Sequence, residues 1–221
     1  VAQVEEGIAA VTSTDRLRSG AFWLRVTVTG GVAAMGKAER GVQPTVIVSA
    51  APLPRWPPTC TAVVVPWTRN QRGALAGLKT LSYIENGIAL RYARDHGADE
   101  GLFENTVGNL CEGAGTNVFV VVDGVVKTPP LSAGALDGIT RQLLLEWIPE
   151  IVVEDMPIDL LHECHEVFVT STSRDVHPVA TVDGRTFAGV GGPATRDIAT
   201  VFRARAAADA DPALRSNSGH P

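Results

Sequence analysis

LKTLSYIENGIAL, residues 78–90, opens on a lysine in a chain that otherwise avoids lysine. Of 19 basic residues only Lys37, Lys79 and Lys127 are lysines, so arginine carries most of the positive charge. Leu81, Ile84, Ile88 and Tyr92 follow at three- and four-residue spacing, which gives the apolar stripe of a helix and puts Lys79 at its start. The ordinary role for such a lysine is a solvated helix-start residue. The other role needs an apolar setting, where desolvation lowers the amine pKa and lets the amine attack a carbonyl to form a Schiff base.

Upstream, helix-like sequence begins at once over residues 4–11, with no initiating Met, which suggests missing residues before it. AFWLRVTVTGG alternates and ends in Gly-Gly, and TVIVSA is β-branched, so both read as strands. APLPRWPP, residues 51–58, has four prolines in eight residues and can be neither helix nor central strand. It reads as a linker between the remainder of a small α/β domain, residues 1–50, and a larger domain, residues 59–221.

In that larger part TAVVVPW is a strand, and NVFVVVDGVVKTPP is a hairpin turning at Asp-Gly. GITRQLLLEWI is a short amphipathic helix, EVFVTSTS a buried strand, and PVATVDGRTFAGV a second Asp-Gly hairpin. A last helix starts near Pro193 and leads to a loose tail, RSNSGHP. The fold class is mixed α/β.

Composition narrows the function. The 221 residues are 45% hydrophobic and 19% charged, which suits a soluble protein with a real core. A net charge of -5 and no basic stripe argue against a nucleic-acid partner. No apolar run reaches membrane-spanning length, the start lacks a signal-peptide pattern, and the three cysteines fall at no metal or disulfide spacing. A cytoplasmic protein is expected. HECH, residues 162–165, superficially suggests metal ligands, but two histidines and one cysteine do not close a site, and no metal is expected.

A lysine that served pyridoxal phosphate would need company. One requirement is a carboxylate facing the pyridine nitrogen, and CEGAGTNVF offers Glu112 among small residues that would admit a flat ring. The other is a phosphate cup of helix-start amides and hydroxyls. LDGITR places Gly138, Ile139 and Thr140 at a helix start, and TSTS, residues 170–173, ends a strand with four hydroxyls, Ser171 and Thr172 among them. Taken singly these are a solvated glutamate, a turn glycine and a hydroxyl cap.

The segments GLKTLSYIENGIALRYARDHGADE, NTVGNLCEGAGTNVFVV, TPPLSAGALDGITR and VFVTSTSRDVHPV resemble, in order and spacing, the signature blocks of the fold-type IV pyridoxal-phosphate enzymes. That class IV aminotransferase family includes branched-chain and D-amino acid aminotransferases and 4-amino-4-deoxychorismate lyase. The resemblance covers about residues 55–208. It implies a two-domain fold with a pseudo-barrel large domain, a homodimer, and pyridoxal 5'-phosphate in the cleft between the domains. By residue, it implies that Lys79 forms the cofactor's Schiff base, Glu112 pairs with the pyridine nitrogen and Tyr83 lies near the phenolic oxygen. Ile139, Thr140 and Thr172 would hold the phosphate.

The family also has a phosphate-binding arginine, and its lyases a proton-donating threonine, farther ahead of the lysine than position 79 allows. The expectation is therefore an incomplete small domain and a weakened cofactor site. Arg174, beside the hydroxyl cluster, is either a substrate-carboxylate partner or an exposed loop arginine. The segments RWPP, RNQRGALAGLKT and STSRDVHPV resemble the arginine-rich bacterial members grouped with the lyases, whereas branched-chain aminotransferases follow the strand with Gly-Thr-Ala. The reading is a lyase making 4-aminobenzoate and pyruvate for folate synthesis. An aminotransferase and a degenerate, non-catalytic member stand as the alternatives.

Overall fold

Two stretches of alternating sequence near the start pair as β1 (Phe22–Thr29) and β2 (Thr45–Pro52), an antiparallel ribbon preceded by α1 (Ala2–Thr12). The structure, a computed structural model, describes residues 2–13, 22–35, 41, 43–187 and 190–208. The expectation of a loose tail falls on residues outside that description. The chain divides into two compact units, Val1–Arg55 and Trp56–Pro221. In the first, α1 meets β2 where Gly7 faces Val48, a contact that leaves no room for a larger side chain. β2 runs on to Pro52, so the proline stretch begins inside a strand.

The second unit is built on one sheet. Its strands are β3 (Cys60–Val64), β4 (Glu100–Glu104), β5 (Leu110–Gly113), β6 (Asn117–Val122), β7 (Val125–Thr128), β8 (Val152–Val153), β9 (Glu166–Ser171), β10 (Asp175–Val182) and β11 (Arg185–Thr186). The order is β5-β4-β3-β10-β9-β6-β7-β8, with β11 on β10. β3 lies parallel to both β4 and β10, and β9 is antiparallel to β10 and to β6. The sheet curls into a half-barrel. Three helices complete the unit: α2 (Ile84–Asp95), α3 (Ile139–Trp147) and α4 (Pro193–Ala208). No helix among the described residues is long and apolar enough to cross a membrane.

Both faces of the central strands are buried, which is why NVFVVV and EVFVTS read as continuous apolar runs. Val118, Val120, Val167 and Val169 face one cluster with Leu102, Met156 and Leu161. Phe119 and Phe168 face the other, with Leu144 of α3 and Ile198 and Phe202 of α4. The two phenylalanines are register partners on adjacent strands, and their rings stack at 4.7 Å. Such a pair contributes about 0.5–1.5 kcal/mol beyond its buried area.

Both Asp-Gly turns form as the sequence indicates. Asp123 and Gly124, and Asp183 and Gly184, all take positive φ, the conformation of the tight hairpin turn that matches strand twist.

The helix after Lys79 differs from expectation. It starts at Ile84, and Leu81, Ile84 and Ile88 are exposed, Ile84 at 74%. Its buried residues are Ala89 and Ala93. The reason is proximity: a Cβ built on Gly101 of β4 would stand 3.0 Å from the Ala89 carbonyl oxygen, so only small residues fit between this helix and the sheet.

Candidate active site

Lys79 lies in the irregular segment ahead of α2, not within the helix, and it is exposed. The apolar pocket expected around it is therefore not formed by its immediate neighbours. Its Nζ stands 5.8 Å from the centroid of the Tyr83 ring. Tyr83, just ahead of α2, donates its hydroxyl to the Ala114 carbonyl at 2.7 Å, and Asn86 Nδ2 donates to the same oxygen at 2.6 Å. Two donors on one carbonyl tie the lysine segment to the strand end that carries Glu112.

Glu112 sits on β5 and is 8% exposed. The Leu136 amide donates to its Oε2 at 2.9 Å, and Arg69 Nη2 lies 3.5 Å from Oε1. Burial raises its pKa above the usual 4.5, and the charges of Glu100 and Glu85 push the same way, against the Leu136 amide and Arg69. Arg69 stands over the Phe103 ring at 4.1 Å and also pairs with Glu85 and Asn86. Sequence reading missed Arg69. It lies 43 residues before Glu112 (112 − 69), and no local pattern joins the two.

From Leu136 the chain turns directly into α3. Asn117 Nδ2 donates to the Leu136 carbonyl at 2.7 Å, which fixes the turn. Gly138 is the N-cap, with extended backbone and no side-chain cap, and Ile139 and Thr140 open the helix. A Cβ on Gly138 would collide with Asn117 Oδ1, so the close approach requires glycine. The helix thus begins with uncapped N–H groups at the positive end of its dipole, the arrangement that suits an anion.

Sheet register sets Asn117 of β6 opposite Thr170 of β9. That places the Ser171–Thr172 turn beside the start of α3. Ile139, Thr140 and Thr172 line one cavity of about 450 Å³, together with Asp175, Phe202 and Arg203. Neither Lys79 nor Glu112 lines it. Thr140 is buried, Thr172 is exposed, and Ser171 is half-buried, its carbonyl accepting a hydrogen bond from the Arg174 amide at 3.2 Å. Arg203, also missed from sequence, brings a cation to the cavity wall from α4.

Arg174 is not an exposed loop residue, and its guanidinium is already engaged. Its side chain is 8% exposed, with Nη1 3.2 Å from Oε2 of the fully buried Glu100 and the guanidinium 4.1 Å over the Trp56 ring. Burial has a physical cause here, because an unpaired Glu100 carboxylate at that depth would be costly.

Comparison with known proteins places this geometry. The model for amino-transferase class IV matches residues 2–182, and the chain belongs to that family. Pyridoxal phosphate is the family's cofactor. An Escherichia coli branched-chain-amino-acid aminotransferase is 34% identical over 148 residues, 64% of this chain and 48% of that protein. Among solved structures, a Legionella pneumophila protein provisionally assigned as 4-amino-4-deoxychorismate lyase superposes with a TM-score of 0.81 at 26% identity, covering 90% of this chain and 75% of that one. A branched-chain aminotransferase from the thermophilic archaeon Thermoproteus uzoniensis, solved with norvaline, gives a TM-score of 0.80 at 27% identity, covering 96% and 74%. The chain spans about half to two thirds of the length of the curated relatives it matches first.

Proposed function

We propose that the chain is a pyridoxal-phosphate-dependent lyase that converts 4-amino-4-deoxychorismate to 4-aminobenzoate and pyruvate, with Lys79 as its catalytic residue. One observation carries the cofactor chemistry. Glu112 is a buried carboxyl that accepts a hydrogen bond from the Leu136 amide just ahead of the uncapped start of α3, and two residues after it the Ala114 carbonyl accepts from Tyr83. The donor set fits the cofactor's three handles: an amine for its aldehyde, a carboxyl for its ring nitrogen, and helix amides with the Thr140 and Thr172 hydroxyls for its phosphate. Gly138 permits the close turn and Ser171 flanks Thr172.

Bound pyridoxal phosphate supplies an electron sink for the electrons left when a proton is removed beside the substrate amine. Lys79 would remove that proton from C4 of the substrate as general base. Glu112, whose pKa burial raises, would face the ring nitrogen and hold a proton between them. Tyr83, fixed through its hydroxyl to Ala114, limits the swing of the Lys79 segment. The bond from ring carbon to the enolpyruvyl oxygen then breaks with its electron pair on oxygen. The leaving group takes up a proton to become pyruvate, and the six-membered ring becomes aromatic. No net oxidation occurs.

The lyase reading over its relatives rests on the run STSRDVHPV and on the similarity to the Legionella protein. A second reading, an aminotransferase, is favoured by the E. coli relative. We also infer a cytoplasmic homodimer, with residues 1–50 as part of the small domain and 59–221 as the cofactor domain. Pyruvate release from 4-amino-4-deoxychorismate, measured on cofactor-loaded protein without any 2-oxo acid, tests the reading. Repeated turnover that is lost in Lys79→Ala supports the lyase. Release only when a 2-oxo acid is added assigns the aminotransferase.

A further inference from the structure

Outside the proposed site, the second unit buries an acid beside an arginine, Glu100 with Arg174. Glu100 is fully buried at the start of β4, and the Gly101 amide donates to its Oε1 at 3.2 Å. Arg174 Nη1 stands 3.2 Å from its Oε2 without the alignment of a hydrogen bond, and burial raises the Glu100 pKa against the pull of Arg174. The guanidinium also lies over Trp56, 4.1 Å from the ring centroid. Trp56 is itself fixed from a second side: the His177 ring is 6.3 Å away, and His177 Nε2 bonds the Pro57 carbonyl at 2.9 Å.

What this cluster holds is the turn between β9 and β10. Arg174 is the last residue of that turn, and Asp175 after it has φ of 53°, a left-handed backbone that a non-glycine residue adopts at a cost. The turn is short: the Arg174 amide bonds the Ser171 carbonyl at 3.2 Å, with Thr172 and Ser173 between. Thr172 and Arg174 thus belong to one short turn closed by that bond. A planar guanidinium in contact with both a carboxylate and an aromatic face is constrained in orientation as well as position, which a lysine ammonium would not be.

We propose that Glu100, Arg174 and Trp56 form a clamp that fixes the strained turn and thereby positions Thr172 against the start of α3 as part of the phosphate cup. The proposal rests on the assignment of Thr172 as a phosphate ligand. All three are positioning residues, since none lines the cavity that Thr172 shares with Ile139 and Thr140. The clamp also occupies Arg174, so a substrate carboxylate is met by other groups.

The test compares dissociation constants for pyridoxal phosphate and for pyridoxal, which lacks the phosphate, by absorbance titration of the full chain. Wild-type protein should prefer pyridoxal phosphate, and Thr172→Ala should reduce that preference. Arg174→Ala and Glu100→Gln should reduce it by about tenfold, the worth of roughly one hydrogen bond to a charged group, with pyridoxal affinity nearly unchanged. Arg174→Ala combined with Thr172→Ala should lose no more than either alone. Arg174→Lys, which keeps charge without the planar stack, should fall between. Should Arg174→Ala not fold, Trp56→Leu removes only the stack and should lower the same preference. Equal weakening of both ligands, or a preference unchanged in every clamp variant, overturns the clamp. If wild-type protein shows no preference, the phosphate site itself is misassigned and the clamp falls with it. If the wild-type preference survives Thr172→Ala, Thr172 alone is misassigned.

Discussion

The guanidinium of Arg69 lies 3.5 Å from Oε1 of the buried Glu112 and opposes the rise that burial gives that carboxyl's pKa. Removing it in Arg69→Met leaves Glu112 answered by the Leu136 amide alone. Loss of a partner to a buried charged group costs about 1–3 kcal/mol. Affinity for pyridoxal phosphate is expected to fall by about tenfold or more. A titration showing wild-type affinity would remove Arg69 from the site.

Glu112→Gln separates stability from function. The folded-state pKa of Glu112 is raised above 4.5, so the folded state binds more protons than the unfolded state between those two values. Its contribution to stability is fully present below 4.5 and is lost as pH rises through the folded pKa. Glutamine carries no such loss. Melts of cofactor-free protein at about pH 8 should place Glu112→Gln at or above wild type, with the difference shrinking or reversing near pH 5. Catalysis should nevertheless fall by about a hundredfold, because the ring nitrogen loses its acid. Equal destabilisation at both pH values would contradict the assignment.

His177 works in the opposite sense. It is buried, its Nε2 faces the Pro57 carbonyl, and burial holds its pKa below 6.5. The charged and titratable groups acting on it include Arg174, which lowers the pKa further, and Asp99, which opposes. Here the unfolded state binds more protons, so the stability contribution is present above 6.5 and is lost as pH falls through the folded pKa. Chemical denaturation of His177→Phe at about pH 7 and pH 5 should show a shallower acid loss than wild type. An unchanged slope would mean that His177 is already solvated.

Gly138→Ala probes the turn into α3. The added methyl would collide with Asn117 Oδ1 and disturb the bond from Asn117 to Leu136. Overpacking at such a site costs about 1–3 kcal/mol. The melting temperature should drop, and pyridoxal phosphate affinity should drop with it. A stable variant with intact affinity would show that the close approach is dispensable.

Much of the sheet was legible because its information is local. The two Asp-Gly hairpins carry their turn chemistry in adjacent residues, and β6 and β9 show their double burial as uninterrupted apolar runs. β4 and β5 were not legible. Glu100 and Glu112 break the apolar pattern there, and each is accompanied in its burial by an arginine distant in sequence as well as by a backbone amide. The α2 stripe misled for a related reason: apolar spacing reveals a face but not what covers it, and the small residues Ala89 and Ala93 proved to be the packed ones. In the proposed site, the lysine, the carboxyl and the helix start are visible in the sequence as residue types. The cross-chain partners, Arg69 with Glu112 and Glu100 with Arg174, depend on strand order, which no short stretch encodes.

The position of β3 bears on how the protein is made. It lies between β4 and β10, and its Val64 amide bonds the Asp183 carboxylate at 3.0 Å across 119 positions of sequence. On the ribosome, β3 and β4 emerge early, while the strand that covers β3's open side arrives late. For that interval the nascent chain presents an unpaired apolar edge, the kind of surface that recruits chaperones or neighbouring chains. A stop codon just ahead of Asp175 would thus yield an aggregating fragment in place of a smaller enzyme, and slow translation between β4 and β10 would lengthen the period of risk.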